Sequence, residues 1–498
     1  MTERVVAAID QGTTSTRCLL FNPAGRMVAV AQREHRQYYP RSGWVEHDAE
    51  EIWRNVTRIV PAALRSAGLG PENIVALGIA NQRETTVIWN RHTGVPLARA
   101  ITWQDIRTEG LVAGLVEAGR AELVTELCGL PPATYFAGPR LRWLLDHVPG
   151  ARAGAEAGDV LFGTMESWLI WKLTGRHVTD VTNASRTMLM DLRTRQWSPR
   201  LLDALGVPAR MLPEIRSNSE VYGTCTTVLP GVPVAGALGD QHAALVGQAC
   251  FEAGEAKCTY GTGAFLLMNT GPRIARSTHG LIPTVGYVLG DEVRYALEGS
   301  IAVTGSLVQW FRDALGMIST AAQIETLAES VPDNGGCYIV PAFSGLYAPR
   351  WHPEARGVMV GLTSYITRGH LARAVLEATG WQTREVVDAM NADSGLPVLR
   401  LKVDGGMTAN HLLMQFVADV LDVPVERPLG SEAVSLGAAY AAGLAVGYWT
   451  DLEVLRGNWH RAAAWEPAMD AEVRRREREN WSRAVDRSYG WAPPPAPE

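Results

Sequence analysis

Two stretches of the chain share one alternation of apolar and polar positions. In residues 5–21 an apolar run stops at a polar turn, residues 12–16, and then resumes. Residues 257–268 repeat the pattern around a turn at residues 261–263. Apolar runs of this length around a short Gly/Thr turn predict two-stranded hairpins. Because the hairpins lie about half a chain apart, they predict two related halves that face one ligand.

The rest of the pattern predicts an α/β chain. Buried strands are expected at residues 75–80, with 87–89 as their partner strand, and at residues 232–238 and 400–403. Residues 296–310 are expected to form a strand, a glycine turn and a helix. Helices are expected at residues 49–68, 109–145 with one interruption, 162–174, 243–248 and 410–422, whereas residues 179–185 read as a polar loop. Residues 435–447 are too rich in Gly and Ala for a free-standing helix, which predicts closely packed core. The last forty or so residues are expected to form a charged helix and a Pro-rich tail.

The first turn carries groups that suit the phosphates of a nucleotide. The hydroxyls of Thr13, Thr14 and Ser15 and the amide groups of the turn offer neutral donors for an anion. Arg17 adds a fork of donors for phosphate oxygens. Asp10, at a predicted strand end, is placed to hold Mg²⁺ through waters. A lone turn of this kind is more often a plain polar hairpin, and the second turn favours the phosphate interpretation.

Two predicted strand ends suit the binding of a polyol and the removal of a proton from it. Arg83 and Glu84 follow one strand and place a donor fork beside an acceptor, although a surface ion pair is the simpler interpretation. Asp240 follows another and is placed to accept the proton of a substrate hydroxyl. A helix N-cap is the structural alternative for that aspartate.

The second half offers further candidates for the nucleotide. A glycine turn that contains Gly305 joins a strand to a helix, and Gly405 and Gly406 lie between a strand and another helix. Glycines at a strand end that lead into a helix N-terminus suit the ribose, base or phosphates of a nucleotide. A plain tight turn is the alternative.

Composition narrows the class of protein. A chain of 498 residues with 47% hydrophobic and 20% charged residues predicts two to four soluble globular domains. The net charge of −6 argues against nucleic acid as the main partner. The six cysteines are dispersed, without metal-binding spacing, so reduced core residues of a cytoplasmic protein are expected. The chain opens directly on a strand and has no apolar stretch long enough for a membrane span, so neither a signal peptide nor a span is predicted.

The assembled motifs resemble the FGGY family of carbohydrate kinases. The resemblance covers residues 5–449 and is carried by Asp10-Gln-Gly-Thr-Thr-Ser-Thr-Arg17, Gly43-Trp-Val-Glu-His-Asp48, Asn81-Gln-Arg-Glu-Thr-Thr86, Gly239-Asp-Gln-His-Ala-Ala-Leu245, Thr259-Tyr-Gly-Thr-Gly263 and Asp404-Gly-Gly-Met-Thr-Ala-Asn410. It implies two actin-like, ribonuclease-H-like domains with a cleft between them. Residues 1–250 would hold the acceptor and the first phosphate turn, and residues 251–498 would bind the nucleotide.

The resemblance also implies a reaction and a set of site residues. ATP would phosphorylate glycerol to sn-glycerol 3-phosphate, with ATP/ADP and Mg²⁺ as cofactors and Asp240 as the general base. The residues implied for glycerol are Arg83, Glu84, Trp103, Tyr135, Asp240, Gln241 and Phe265. Those implied for the nucleotide are Thr13, Thr14, Ser15, Arg17, Thr262, Gly305, Gln309, Gly406 and Asn410, and Asp10 and Asp240 would lie beside the metal.

Several positions depart from the family pattern. Residues 224–230 contain no basic side chain, where relatives inhibited by fructose 1,6-bisphosphate carry a phosphate-binding loop, so insensitivity to that compound is expected. Glu166 and His352 stand where aspartate is expected, and Arg140 stands where lysine is more usual. These three are not expected to touch the chemistry. A homodimer or homotetramer is expected from the resemblance.

Two alternatives to glycerol phosphorylation stay open. A kinase of the same family acting on another short polyol or a ketopentose would share the phosphate turns, but bulky Trp103, Tyr135 and Phe265 favour a small pocket. A non-catalytic nucleotide sensor of actin-like fold would not need both Asp10 and Asp240.

Overall fold

The structure is a computed structural model that describes residues 4–491. Its strands are β1 Val5–Gln11, β2 Ser15–Phe21, β3 Met27–Glu34, β4 Gln37–Tyr38, β5 Glu46–His47, β6 Ile74–Asn81, β7 Val87–Asn90, β8 Ala100–Ile101, β9 Val160–Gly163, β10 Val178–Asp180, β11 Met190–Asp191, β12 Gln196–Trp197, β13 Glu214–Arg216, β14 Ser219–Thr224, β15 Pro233–Gly239, β16 Ala256–Tyr260, β17 Ala264–Gly271, β18 Ile282–Leu289, β19 Glu292–Ile301, β20 Tyr338–Val340, β21 Val358–Val360, β22 Leu401–Asp404, β23 Val425–Pro428 and β24 Arg461–Trp465. Its helices are α1 Ala49–Ala67, α2 Glu109–Glu117, α3 Ala121–Cys128, α4 Ala137–His147, α5 Ala151–Ala157, α6 Met165–Thr174, α7 Val181–Ala184, α8 Pro199–Leu205, α9 Asp240–Gly247, α10 Gly305–Asp313, α11 Gln323–Glu329, α12 Arg368–Ser394, α13 His411–Leu421, α14 Ala433–Ala445, α15 Leu452–Gly457 and α16 Ala471–Asp486.

One mixed sheet of 13 strands runs through both halves of the chain, in the order β24-β23-β22-β16-β17-β19-β18-β14-β15-β6-β1-β2-β3. Both predicted hairpins, β1–β2 and β16–β17, are antiparallel pairs within it. The halves meet where β14 pairs with β18 through Ser219 and Leu289. In each half the first strand of the hairpin also pairs in parallel with a later strand of the same half, β1 with β6 and β16 with β22.

Helix α14 comes from the second half of the chain but packs on the first. Its buried alanines lie against β1, β6 and β15 and share one hydrophobic cluster with residues of those strands. The approach is so close that a Cβ on Gly437 would come within 1.8 Å of the carbonyl oxygen of Ala243 in α9. The prediction that this Gly/Ala-rich segment is closely packed core is confirmed.

Three sequence-based expectations about the fold need correction. Strand β7 pairs with β9 and not with β6, in a separate two-stranded sheet. Residues 179–185 are a buried strand end and a short helix, not a polar loop, because Asp180, Thr182 and Asn183 bond one another and their neighbours. The last forty residues include strand β24 as well as the charged helix α16. The Pro-rich tail at residues 493–497 lies outside the described residues.

Within residues 4–491, no helix combines the length and the apolarity that crossing a membrane requires.

Candidate active site

Three neighbouring parallel strands of the first half end at the same edge of the sheet. Gln11 of β1 is in register with Asn81 of β6, and Asn81 is in register with Gly239 of β15. Asp10 and Asp240 therefore lie at one edge. Two strand spacings of about 4.8 Å and an offset of two residues, about 3.3 Å each, place their backbones roughly 12 Å apart. This separation leaves room for a phosphoryl group and a metal ion between them.

The turn between β1 and β2 is held in place by its neighbours. The amide of Gly12 donates to the carbonyl oxygen of Ser15 at 2.9 Å. Trp103 donates its indole N–H to Oγ1 of Thr13 at 3.0 Å, and Gln37 donates to the carbonyl oxygen of Thr13 at 2.9 Å. The predicted phosphate turn and the predicted acceptor wall are thus in direct contact.

Asp10 and Arg17 form an ion pair that reaches into the second half of the chain. Nη1 of Arg17 lies 2.6 Å from a carboxylate oxygen of Glu432, and Ser435 donates to Oδ2 of Asp10 at 3.3 Å. Burial raises the pKa of Asp10, and Arg17 opposes the rise. Arg17 is thereby fixed beside the phosphate turn with its charge balanced by two carboxylates.

The donors at this edge fit Mg²⁺. Oδ2 of Asp10 takes the bonds from Arg17 and Ser435, so its other oxygen has no partner within the described chain. No three His, Cys, Asp or Glu side chains of residues 4–491 form a group that could hold a metal. Mg²⁺ needs no such cage, because one or two carboxylates, water and substrate phosphates commonly complete its shell.

Arg83, Glu84 and Asp240 come together beside that edge. Nε of Arg83 lies 3.3 Å from Oδ1 of Asp240 and 4.0 Å from Oε1 of Glu84. Glu84 has a left-handed backbone, with φ of 63°, which is uncommon for a residue other than glycine. The side chains of Arg83 and Glu84 are 3% and 1% exposed, so the simple surface ion pair is excluded.

Two charged residues that the sequence did not single out complete this cluster. Glu298 in β19 accepts from both terminal nitrogens of Arg83, and Arg186 donates Nε to Glu84 at 2.7 Å. The available signal for Glu298 was a carboxylate inside an apolar strand, since it lies between buried Leu297 and the core glycine Gly299.

The charges in the cluster tune the candidate base. Burial raises the pKa of Asp240 to about 6, and Arg83 opposes the rise. Burial also raises the pKa of Glu298, but Arg186 and Arg83 outweigh it and hold that pKa well below the usual range. Asp240 is consequently ionised at neutral pH yet close enough in pKa to accept a proton. Its side chain is 30% exposed, so a ligand can reach it.

Aromatic side chains form a wall next to the cluster. Trp103 and Tyr135 meet edge to face with their ring centroids 5.8 Å apart. Arg140, fully buried, donates to the carbonyl oxygens of Glu84, Trp103 and Tyr135 at 3.2, 2.8 and 2.9 Å. Arg140 therefore supports three segments of the candidate site through their backbones, and the expectation that it does not touch the chemistry stays a prediction.

Gln241 and Phe265 lie where the halves meet. Oε1 of Gln241 accepts from the buried Lys257. Phe265 is half-buried in β17, between Thr259 of β16 and Ser300 of β19. Lys257, which also donates to the carbonyl oxygen of Phe265 at 3.4 Å, thus fixes the amide group of Gln241 beside β17.

The second turn is bonded to the start of α10. The amide of Gly305 donates to the carbonyl oxygen of Gly261, and the amide of Ser306 donates to that of Thr262, both at 3.0 Å. A Cβ on Gly305 would lie 2.4 Å from the oxygen of Gly261, so only glycine permits this approach. The first amide groups of α10 are therefore already bonded to the turn, and the structure brings Thr262 and Gly305, both expected at the nucleotide, next to each other.

The other nucleotide candidates lie at nearby strand and helix ends. Gly405 has φ of 93°, and a Cβ on it would lie 2.3 Å from the oxygen of Tyr260, whereas Gly406 faces open space. Asn410 caps α13 by accepting from the amide of Leu413, so a structural role is established for it. Thr14, Thr262 and Gln309 are exposed.

His47 links the turn between β1 and β2 to the segment that carries Arg83, and it is a second feature that the sequence did not assign. It bonds Gln37 at 2.6 Å through Nε2 and Gln82 at 3.1 Å through Nδ1. Gln37 in turn holds Thr13, and Gln82 precedes Arg83. This explains why a histidine stands in the Gly43–Asp48 segment.

Comparison with known proteins gives one consistent result. Residues 5–247 match the N-terminal domain of the FGGY family of carbohydrate kinases, and residues 256–446 match the C-terminal domain. The chain is 61% identical over 495 residues to glycerol kinase 2 of Streptomyces avermitilis, covering 98% of both proteins. It is 60% identical over 495 residues to a glycerol kinase of Nocardia farcinica, covering 98% of this chain and 99% of that one.

A solved structure agrees with these relatives. Plasmodium falciparum glycerol kinase with ADP superimposes with a TM-score of 0.93 at 37% identity, covering 98% of each chain. The predicted two-domain α/β kinase fold is confirmed.

Proposed function

The chain belongs to the FGGY family of carbohydrate kinases, and we infer that it transfers the γ-phosphoryl group of ATP to glycerol, giving sn-glycerol 3-phosphate. The observation that carries the assignment at the site is the contact between Arg83 and Asp240, 3.3 Å from Nε to Oδ1, beside the wall of Trp103 and Tyr135. It places a hydroxyl-binding cation and a base of suitable pKa next to each other, in a pocket with bulky walls. Curated relatives of about 60% identity that bear the name glycerol kinase support the same reaction.

The geometry supports a direct transfer. Arg83 and Glu84 bind neighbouring hydroxyls of the acceptor, and Trp103, Tyr135 and Phe265 wall its carbon edge and exclude water. Asp240 accepts the proton of the attacking hydroxyl, with Gln241 holding the acceptor beside it. In-line attack needs little from the protein beyond this positioning and charge stabilisation.

The nucleotide is bound from both halves. Thr13, Thr14, Ser15 and Arg17 contact its phosphates from the first half, and Thr262, Gly305, Gln309, Gly406 and Asn410 hold it from the second. Asp10, with Asp240, would hold Mg²⁺, which neutralises charge on the transferred group. On this proposal residues 1–250 and 251–498 are the two functional domains.

Three further properties come from the family resemblance and belong to the proposal. The protein assembles as a homodimer or homotetramer and acts in the cytoplasm. It is not inhibited by fructose 1,6-bisphosphate, since residues 224–230 carry no cation and fold back on the chain through bonds such as Thr226 to Leu173. A dose series with saturable inhibition would overturn the last point.

The test is ADP release with Mg·ATP and a panel of acceptors: glycerol, dihydroxyacetone, glyceraldehyde, erythritol, D-xylulose and L-ribulose. The highest kcat/KM is expected for glycerol. Preference for a four- or five-carbon acceptor would keep the kinase and remove glycerol as its substrate. ADP release that no acceptor increases would favour the nucleotide sensor instead.

A further inference from the structure

Glu298 is the buried partner that holds the acceptor-binding arginine, and it comes from the opposite half of the chain. It lies in β19 and accepts from Nη1 and Nη2 of Arg83, which follows β6. Paired bonds to both terminal nitrogens fix the plane of a guanidinium as well as its position. Nε is left on the side of Asp240.

The surroundings of Arg83 leave it few other positions. A Cβ on Gly239 would lie 2.6 and 2.7 Å from Cγ and Cδ of Arg83, so the arginine stem passes directly over that glycine. Within the described chain, the anionic partners of Arg83 are Glu298, Asp240 and Glu84. Of these, only Glu298 accepts two hydrogen bonds from Arg83, one from each terminal nitrogen.

Arg186 adds a second link to the same carboxylate. Its Nη2 lies 3.3 Å from Oε1 of Glu298, while its Nε bonds Glu84. Glu298 thereby connects to both residues proposed to bind acceptor hydroxyls, to Arg83 directly and to Glu84 through Arg186. All four side chains are at most 3% exposed, so solvent screens these contacts little.

We propose that Glu298 is a positioning residue for acceptor binding: it holds Arg83 directly and Glu84 through Arg186, and so makes the geometry of the polyol site depend on the contact between the two halves. The proposal rests on the function inferred above. Without the carboxylate, Arg83 keeps Asp240 and Glu84 as its remaining anionic neighbours and turns toward them. The hydroxyl site is then lost, whereas the phosphate turns are unchanged.

The experiment compares three variants with the unaltered protein. Glu298→Gln removes the charge at nearly constant volume, and Glu298→Asp keeps the charge but cannot reach both nitrogens. The matched control is Glu377→Gln, which alters another buried glutamate of the second half. Glu377 lies in α12 and accepts hydrogen bonds from Arg373 of the same helix and from Asn334. For each protein the KM of glycerol, the KM of Mg·ATP, kcat and the Tm are measured.

For Glu298→Gln the KM of glycerol should rise on the order of 10- to 100-fold, the range that a small misplacement in a site produces. The KM of Mg·ATP should stay within about twofold, since no nucleotide candidate touches Glu298. Glu298→Asp should give an intermediate rise, and Glu377→Gln should change neither KM even if its Tm falls.

The outcomes separate the two proposals. If glycerol does not stimulate turnover by the unaltered protein, the proposed function fails. If it does, and the KM of glycerol is unchanged in Glu298→Gln, the positioning role is wrong. Equal rises in both KM values would also overturn it, because they indicate general damage. If Glu298→Gln does not fold, Glu298→Asp decides: an unchanged KM of glycerol in that variant rejects the role.

Discussion

Nε of Arg83 lies 3.3 Å from Oδ1 of Asp240, so the guanidinium proposed to bind the acceptor also contacts the proposed base. This contact has two consequences. On the proposed function it would place the acceptor hydroxyl next to the carboxylate that takes its proton, and it opposes the effect of burial on the pKa of Asp240. On the proposed function, one arginine thus takes part in positioning the substrate and also moderates the pKa of the base, which burial raises.

Replacing Asp240 by Asn should remove transfer while nucleotide binding persists. Asn cannot accept the proton, and a general base contributes on the order of 10²- to 10⁴-fold to a rate. We expect kcat to fall by that factor and ADP affinity, measured by calorimetry, to change by less than about threefold.

The control for this variant is Asp422→Asn. Asp422 has φ of 62°, a conformation that Asn tolerates, and its side chain is 58% exposed. This variant should keep the kcat of the unaltered protein. Should Asp240→Asn retain most of its activity, the base has been assigned to the wrong residue.

The activity should depend on pH through Asp240. Its pKa is raised to about 6, first by burial, so below that pH the carboxyl is protonated and cannot act as a base. The kcat/KM for glycerol at saturating Mg·ATP should therefore rise about tenfold per pH unit below pH 6 and level off above it. ADP binding measured over the same range serves as the control. A flat profile of kcat/KM from pH 5 to 8 would contradict the assignment.

His47→Ala should weaken the binding of both glycerol and Mg·ATP. His47 bonds Gln37, which holds Thr13, and it also bonds Gln82, which precedes Arg83. Burial lowers the pKa of His47 to about 3, so the ring is neutral and donates from one nitrogen while accepting at the other. We expect the KM values of glycerol and of Mg·ATP to rise together, with a loss of about 1–3 kcal/mol in the free energy of unfolding.

His92→Ala is the matched control for that variant, since the His92 side chain is 66% exposed and pairs only with Asp159 among the described residues. Its two KM values should equal those of the unaltered protein. A rise in only one KM for His47→Ala would show that the histidine serves a single turn and does not connect the two.

The sequence predicted the features that depend on local pattern. Both hairpins, and the strand ends that carry Asp10 and Asp240, follow from apolar runs that stop at polar residues. Glu298 was missed because its contact is with Arg83, more than 200 positions away along the chain. The spacing of residues within a motif cannot predict a contact over that separation in sequence. The segment at residues 179–185 was misread for a related reason: its polar side chains are satisfied by one another inside the protein and not by water.

The prediction of strand pairing failed where it rested only on two strands being close together in the sequence. Strand β7 follows β6 closely, yet its partner β9 lies some seventy residues further on. The sequence did not predict the supporting contacts of Arg140, because Arg140 bonds three backbone carbonyl oxygens and every residue type carries such an oxygen. Support of this kind becomes visible only once the chain is folded.

Gly437→Ala should destabilise the protein and reduce its activity, although Ala favours helices. A Cβ there would lie 1.8 Å from the carbonyl oxygen of Ala243, so α14 and α9 must move apart. Overpacking of this kind lowers the free energy of unfolding by about 1–3 kcal/mol. Because α9 begins with Asp240, the same displacement shifts the base relative to Arg83, and kcat should fall as well.

The control is the same substitution in an open helix. Gly114 lies within α2, exposed, and a Cβ on it would have no neighbour within 4 Å. Gly114→Ala should therefore stabilise the protein by roughly 0.5–1 kcal/mol and leave kcat unchanged. Urea titrations of both variants measure the difference directly. If both substitutions stabilised the protein, the close contact between α14 and α9 would be refuted, and with it the link between that contact and the position of Asp240.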